Sequence, residues 1–206
     1  DIVTLTGGSG VNDIRAVATV KNSITGGDGA DTIVCNTGID SLVYAEEGVN
    51  VDLITGFTAD AHDDVIMVDV SAINSNNLSD TQGTIITAST THAIVEYTVG
   101  ATLASNAAGT CIIKVTNTTG IDAFSDVNTA IDADNITLNA SGSGFGAGEG
   151  ILLLFYDADN TKMVFGYLES NAADVFDDGN TFVEITTATM SEAEYTALAA
   201  ANFDLL

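Results

Sequence analysis

The chain has 206 residues, room for one domain or two small ones, and its 46% hydrophobic content argues against disorder. With 29 Asp and Glu against 4 Lys and Arg, it carries a formal charge of −25 at pH 7. That balance excludes nucleic acid and anionic lipid as partners, since phosphate binding relies on Lys and Arg. No stretch approaches the roughly 20 apolar residues of a membrane span.

Self-repulsion on this scale destabilises a compact state unless counter-ions relieve it. A solvated acidic surface in a saline habitat is the plainer reading, and specific binding of a divalent cation is the sharper one.

In chain order, IVTLTGG reads as a strand, and a nine-residue period follows. Aligning GGSGVNDIR from Gly7, VATVKNSIT from Val17, GGDGADTIV from Gly26 and CNTGIDSLV from Cys35 places Asn12, Asn22, Asp31 and Asp40 in one column. Ile14, Ile24, Ile33 and Leu42 form a second column, and only Ala16 breaks the phase. One inward aliphatic per nine residues suits a parallel β-roll with a thin core, in which one coil takes two units. Residues eighteen apart then lie above one another: Asn22 on Asp40 and Asp13 on Asp31, with Asn12 replacing Asp13 if the inserted Ala16 shifts the turn.

The column chemistry points to calcium, which takes six to eight oxygens in flexible geometry. Gly8, Gly10, Gly27, Gly29 and Gly38 offer turn carbonyls unobstructed by a Cβ, and Asn12, Asp13, Asn22, Asp28, Asp31 and Asp40 offer side-chain oxygens. Two neighbouring turns then wrap one ion. The next segment, VDLITGFTADAHDDVIMVDV, reads as strand, acidic loop, strand, and is expected to close the open end of the roll. Within it Asp60, Asp63 and Asp64 either cap the roll with another calcium or form an ordinary solvated loop.

The composition shifts near residue 75. IVEYTV and CIIKVT read as strands, and Ile121, Phe124, Val127 and Ile131 fall at helical spacing. ILLLFYDADNTKMVFGYLE reads as a hairpin around Asp157 to Thr161, and FVEITT as a further strand. Ser191 with Glu194 three residues on forms a capping box opening a final helix. The expected fold is mainly β: a short parallel roll with calcium turns over residues 1–75, then a sheet or sandwich-like region over 76–206 with one or two short helices. His62 and His92 lack zinc spacing and read as structural or surface residues. Cys35 and Cys111 leave disulfide pairing open.

GGDGADTIV matches the G-G-x-G-x-D-x-U-x calcium-binding repeat at every fixed position, and GGSGVNDIR departs only at Asn12. CNTGIDSLV keeps Gly38, Asp40 and Leu42, while VATVKNSIT keeps only Asn22 and Ile24. The chain thus resembles repeats-in-toxin proteins over residues 1–75, and its C-terminal region is similar in general character to those recognised by type I secretion. The resemblance implies bound Ca2+, C-terminally directed export without an N-terminal signal, and an extracellular location.

No G-x-S-x-G, H-E-x-x-H or phosphate loop is present, so no enzyme is expected. Surface-layer and matrix proteins of Gram-negative bacteria resemble this design. The expected function is an extracellular, calcium-dependent structural subunit that self-associates into a filament or lattice, with cell-surface polysaccharide as a further partner. The alternative is a C-terminal roll and secretion module of a longer adhesin or hydrolase.

Overall fold

The structure is a computed structural model that describes residues 1–45, 50–59, 64–73, 78, 93–99, 110–134, 150–169 and 181–206. The first seven strands are β1 (Ile2–Thr6), β2 (Asp13–Arg15), β3 (Lys21–Thr25), β4 (Thr32–Val34), β5 (Asp40–Tyr44), β6 (Asp52–Thr55) and β7 (Val65–Val68). Odd strands pair in parallel in one sheet and even strands in a second, so the chain winds between two sheets as a β-roll. Because strand side chains alternate, one residue in two points between the sheets. Ile24, Leu42 and Ile66 enter from the first sheet and Ile33 and Ile54 from the second, all buried in one core. Each contributes about 1.5–3 kcal/mol on burial.

The register resolves the phase break at Ala16. Asn22 pairs with Asp40, eighteen residues on, but Asp13 pairs with Thr32 and Ile14 with Ile33, nineteen residues on. Asn12, not Asp13, therefore underlies Asp31. The glycine turns stack at backbone contact: a Cβ on Gly27 would lie 2.6 Å from the Gly8 carbonyl oxygen, and one on Gly29 would lie 2.7 Å from the Gly10 carbonyl carbon. Both residues have positive φ, at +90° and +126°, so glycine is required there on two counts.

The strands around the acidic loop do not close the roll, contrary to the sequence expectation; β6 and β7 form its third coil. After a short α1 (Val70–Ile73), the described chain continues through β8 (Ala93–Tyr97), β9 (Thr110–Val115), α2 (Phe124–Asp134), β10 (Gly150–Asp157), β11 (Lys162–Glu169), β12 (Thr181–Thr189), α3 (Glu192–Ala197), a 3-10 turn (Ala200–Asn202) and β13 (Phe203–Leu205). β12 pairs in parallel with β6, and β13 in parallel with β7, so the far end of the chain adds the fourth strand of the second sheet and the fifth of the first. Beyond β12 the second sheet runs on through β11, β10, β9 and β8, so it crosses residue 75 without a break.

The run ILLLFYD of β10 is buried on both faces, which explains why it is apolar throughout and does not alternate. Ile151, Leu153 and Phe155 face a cluster with Val127 of α2, while Leu152, Leu154 and Tyr156 join the roll's core. α3 opens with the capping box read from the sequence, Ser191 accepting from the Glu194 N–H. Its Tyr195 hydroxyl donates to the carbonyls of Val115 (2.6 Å) and Leu154 (3.1 Å). The buried Lys114 ammonium donates to the carbonyls of Thr196 and Leu198, each at 2.9 Å, at the C-terminal end of α3. No helix among the described residues is long and apolar enough to cross a membrane.

Candidate metal site

Each coil turns twice, and each turn ends on the polar residue that starts the next strand. On the glycine-rich edge these residues are Asn12, Asp31 and Asp52. The Asn12 N–H and Nδ2 donate to Asp31 Oδ1 at 2.7 and 3.1 Å, and the Asp31 N–H donates to Asp52 Oδ1 at 2.8 Å. Each carboxylate thus caps the strand start of the coil before it. Asn12 Nδ2 also donates to the Gly10 carbonyl. The amide nitrogen therefore lies between a turn carbonyl and a carboxylate, the position a cation would hold.

At the next step along this edge one oxygen, Oδ2 of Asp31, has no donor among the described residues, and Asp31 is only 1% exposed. A methyl group built on Gly26 would come within 2.6 Å of Asp31 Oδ2 and 2.7 Å of Asp52 Oδ2, so both oxygens converge over that glycine. Two carboxylates brought together over one glycine repel, and more strongly where burial keeps water out. A buried carboxylate oxygen without a donor adds a desolvation cost. An oxygen-only donor set of this kind fits a hard divalent cation such as calcium.

The opposite edge carries Asn22, Asp40 and Asp64. Asn22 Nδ2 donates to Asp40 Oδ1 at 2.6 Å and to the carbonyls of Val17 and Val20 at 3.1 and 3.2 Å. Asp40 Oδ2 accepts the Asn36 N–H at 3.0 Å, and Asp64 Oδ1 accepts the Asp40 N–H at 2.9 Å. Asp64 Oδ2 accepts the Thr58 N–H and hydroxyl at 2.9 and 3.2 Å. Here every carboxylate oxygen has a donor.

Cys35 joins Asp40 and Asp64 in a buried group whose ligand atoms lie within 4.8 Å of one another. Burial, then the charges of Asp64 and Asp40, push the Cys35 thiol up, so it stays protonated and is a poor ligand for a hard cation. Burial also pushes the Asp64 carboxyl up to about 6, reinforced by the Asp40 charge and opposed by the N–H donors of Asp40 and Thr58. The two edges therefore differ: donors satisfy the Asp40–Asp64 step, whereas the Asp31–Asp52 step has a buried oxygen unmatched.

The remaining sequence candidates distribute as follows. Asn12, Asp31, Gly8, Gly10, Gly27 and Gly29 belong to the glycine-rich edge, and Asn22, Gly38, Asp40 and Asp64 to the opposite one. Asp28 is exposed and its carbonyl accepts the Gly10 N–H at 2.6 Å. Asp13 lies outside the column, exposed and paired with Arg15 at 2.9 Å. Asp60, His62, Asp63 and His92 lie outside the described residues.

Sequence reasoning missed Asp52 and Cys35. The signal for Asp52 was present, since Asp52-Leu53-Ile54 repeats the Asp-x-aliphatic half of Asp31-Thr32-Ile33. Its 21-residue spacing from Asp31 hid it from a search at eighteen. Cys35 and Cys111 are both buried and no disulfide joins them. Compared with known protein families, curated proteins and solved structures, the chain finds no match.

Proposed function

We propose that this chain is an extracellular structural protein whose roll is locked by calcium, of the repeats-in-toxin kind that its turns resemble. One observation carries the reading: the buried Asp31 Oδ2, lacking a donor, faces Asp52 Oδ2 over Gly26. Asp31 and Asp52 would hold the ion, which when bound satisfies their facing oxygens as the neutral Asn12 amide, through its N–H donors, satisfies Asp31 Oδ1 one coil earlier. Extracellular modules bind calcium at about 10⁻⁴ to 10⁻³ M, so cytosolic traces leave such a site empty and external levels fill it. Export before folding, and assembly into a surface layer, filament or matrix after it, follow from that switch. Their support is the charge of −25, the repeat and the C-terminal character of the sequence.

The test is thermal unfolding followed by circular dichroism, in chelator and in calcium, with bound metal counted by equilibrium dialysis. At one hundred times the dissociation constant one site adds roughly 2.7 kcal/mol, a rise in Tm of about 5–10 °C for a chain of this size. Identical melting curves with no calcium retained would overturn the reading.

A further inference from the structure

Away from the roll, α2 covers the face of the second sheet on which Ile151, Leu153 and Phe155 of β10 pack with Val127. Where that helix begins, a cavity of about 210 Å³ lies between residues 122–124 and the strands β10, β11 and β12. Residues two apart on a strand share a face, so Phe155 and Asp157, Lys162 and Val164, and Phe182 and Glu184 line it in pairs. A register shift after Phe165 sets Glu184, not Ile185, opposite Gly166. A Cβ on Gly166 would lie 2.6 Å from Phe182 Cζ, so glycine makes room for that ring. Phe182 stacks on Phe124 with centroids 4.8 Å apart and tilts against Phe155 at 5.8 Å.

Three carboxylates and one ammonium share this aromatic cavity. Asp157 is matched: it accepts the Asn160 N–H and Nδ2 at 3.0 and 2.8 Å, and the Lys162 ammonium stands 3.9 Å away. Among the described residues, the carboxylates of Asp122 and Glu184 accept no hydrogen bond and join no ion pair. Desolvation, then the charges of Asp159, Asp126 and Asp157, hold the Asp122 carboxyl above its usual value, as a negative field without a counter-charge does.

An inorganic ion does not suit these walls. No three of the cavity's carboxylates bring their oxygens within 4.8 Å of one another, as the ligand atoms around Cys35 do, and phenyl rings supply no oxygen. A cation that reaches separated carboxylates while lying against aromatic rings must be flat, apolar on its faces and a donor at its edges. Guanidinium has that form: it forks carboxylate oxygens and stacks on aromatic faces. The volume is below the roughly 300–1,000 Å³ of pockets that hold drug-sized ligands, so one such group on a short chain fills it.

We propose that the cavity at the start of α2 binds a guanidinium group, with Asp122 and Glu184 accepting from its edge and Phe124, Phe155 and Phe182 supplying the aromatic wall. The site shares no residue with the glycine-rich edge of the roll, so the calcium reading and this one stand or fall separately.

The experiment follows the amide resonances of the full chain in millimolar calcium as butylguanidinium is added to about 30 mM, a range that reads a Kd of about 1 mM. Saturable shifts are expected at residues 122–124, around Asp157 and Lys162, and at Phe182 and Glu184. Asp122→Asn and Glu184→Gln are each expected to weaken binding about tenfold, and Asp13→Asn, on the roll, to leave it unchanged. Butylammonium, with the same chain and charge but no planar fork, is expected to bind at least about threefold more weakly. A short blocked peptide carrying one arginine separates two sources of the group: binding as tight as butylguanidinium assigns the cavity to an arginine of another polypeptide, and exclusion of the peptide assigns it to a free guanidino compound. The proposal is overturned by the absence of saturable shifts, by shifts away from the cavity, or by binding that survives both substitutions in a chain whose remaining resonances are unmoved. Equal binding of butylammonium, or displacement of butylguanidinium by added calcium at constant ionic strength, overturns it as well.

Discussion

Replacing Asp31 by asparagine converts the second step of the glycine-rich edge into a copy of the first. The new Oδ1 still accepts from Asn12, and the new Nδ2 takes the place of the unmatched oxygen beside Asp52 Oδ2. Asp31→Asn is therefore expected to melt higher than the parent chain in chelator, and to retain one calcium fewer by equilibrium dialysis. A mutant that melts lower in chelator would show that the two carboxylates do not oppose each other. Asp64 gives a pH dependence of its own. Its folded value near 6 exceeds the ordinary 3.8, so the folded state binds the proton more tightly. The resulting stability is complete below about pH 3.8 and is lost as pH rises through about 6. In chelator, Tm is expected to rise as pH falls from 7.5 to 5, and Asp64→Asn is expected to flatten that slope.

Among the elements, the unit from β12 to β13 is what finishes the roll. Phe203 starts β13 against Ile66 of β7 and packs on Phe165 with ring centroids 5.1 Å apart, joining the two sheets. Phe203→Ala is expected to cost about 3–5 kcal/mol. Hydrogen exchange should then quicken at β7 far more than at β1, three strands further along the same sheet; equal quickening at both would mean that the roll melts as one unit. Within the same segment, Ser191→Ala removes the cap of α3 and is expected to cost about 1 kcal/mol, read as a drop in Tm of about 2–4 °C.

For the molecule as a whole, the excess negative charge sets the conditions under which it is compact. Salt is expected to raise Tm in chelator, because screening reduces the self-repulsion of a body carrying −25. If Asp31 and Asp52 hold calcium as proposed, calcium should exceed that effect at matched ionic strength, since the ion would act on one buried pair that screening does not reach. Equal Tm in calcium chloride and in sodium chloride of the same ionic strength would leave only a salt-tolerant acidic surface.

The sequence by itself determined what is encoded locally and periodically. Nine-residue spacing of Ile24, Ile33 and Leu42 specified a roll with a thin core, since a fixed period selects which side chains face inward. Ser191 and Glu194 specified the start of α3 because a capping box involves only four residues, and the turn at Asp157–Thr161 was legible between two apolar runs for the same reason. Only the tertiary structure decided the rest. It placed Asn12 beneath Asp31, because one inserted residue moves a turn and only strand pairing shows which way. It brought Asp52 into the column across an irregular spacing, and Cys35 beside Asp40 and Asp64. It closed the roll with β12 and β13, more than 130 residues from their partners β6 and β7, because β6 and β7 each left an edge to be paired and apolar side chains to be covered. A local pattern carries no record of which distant strand meets that need.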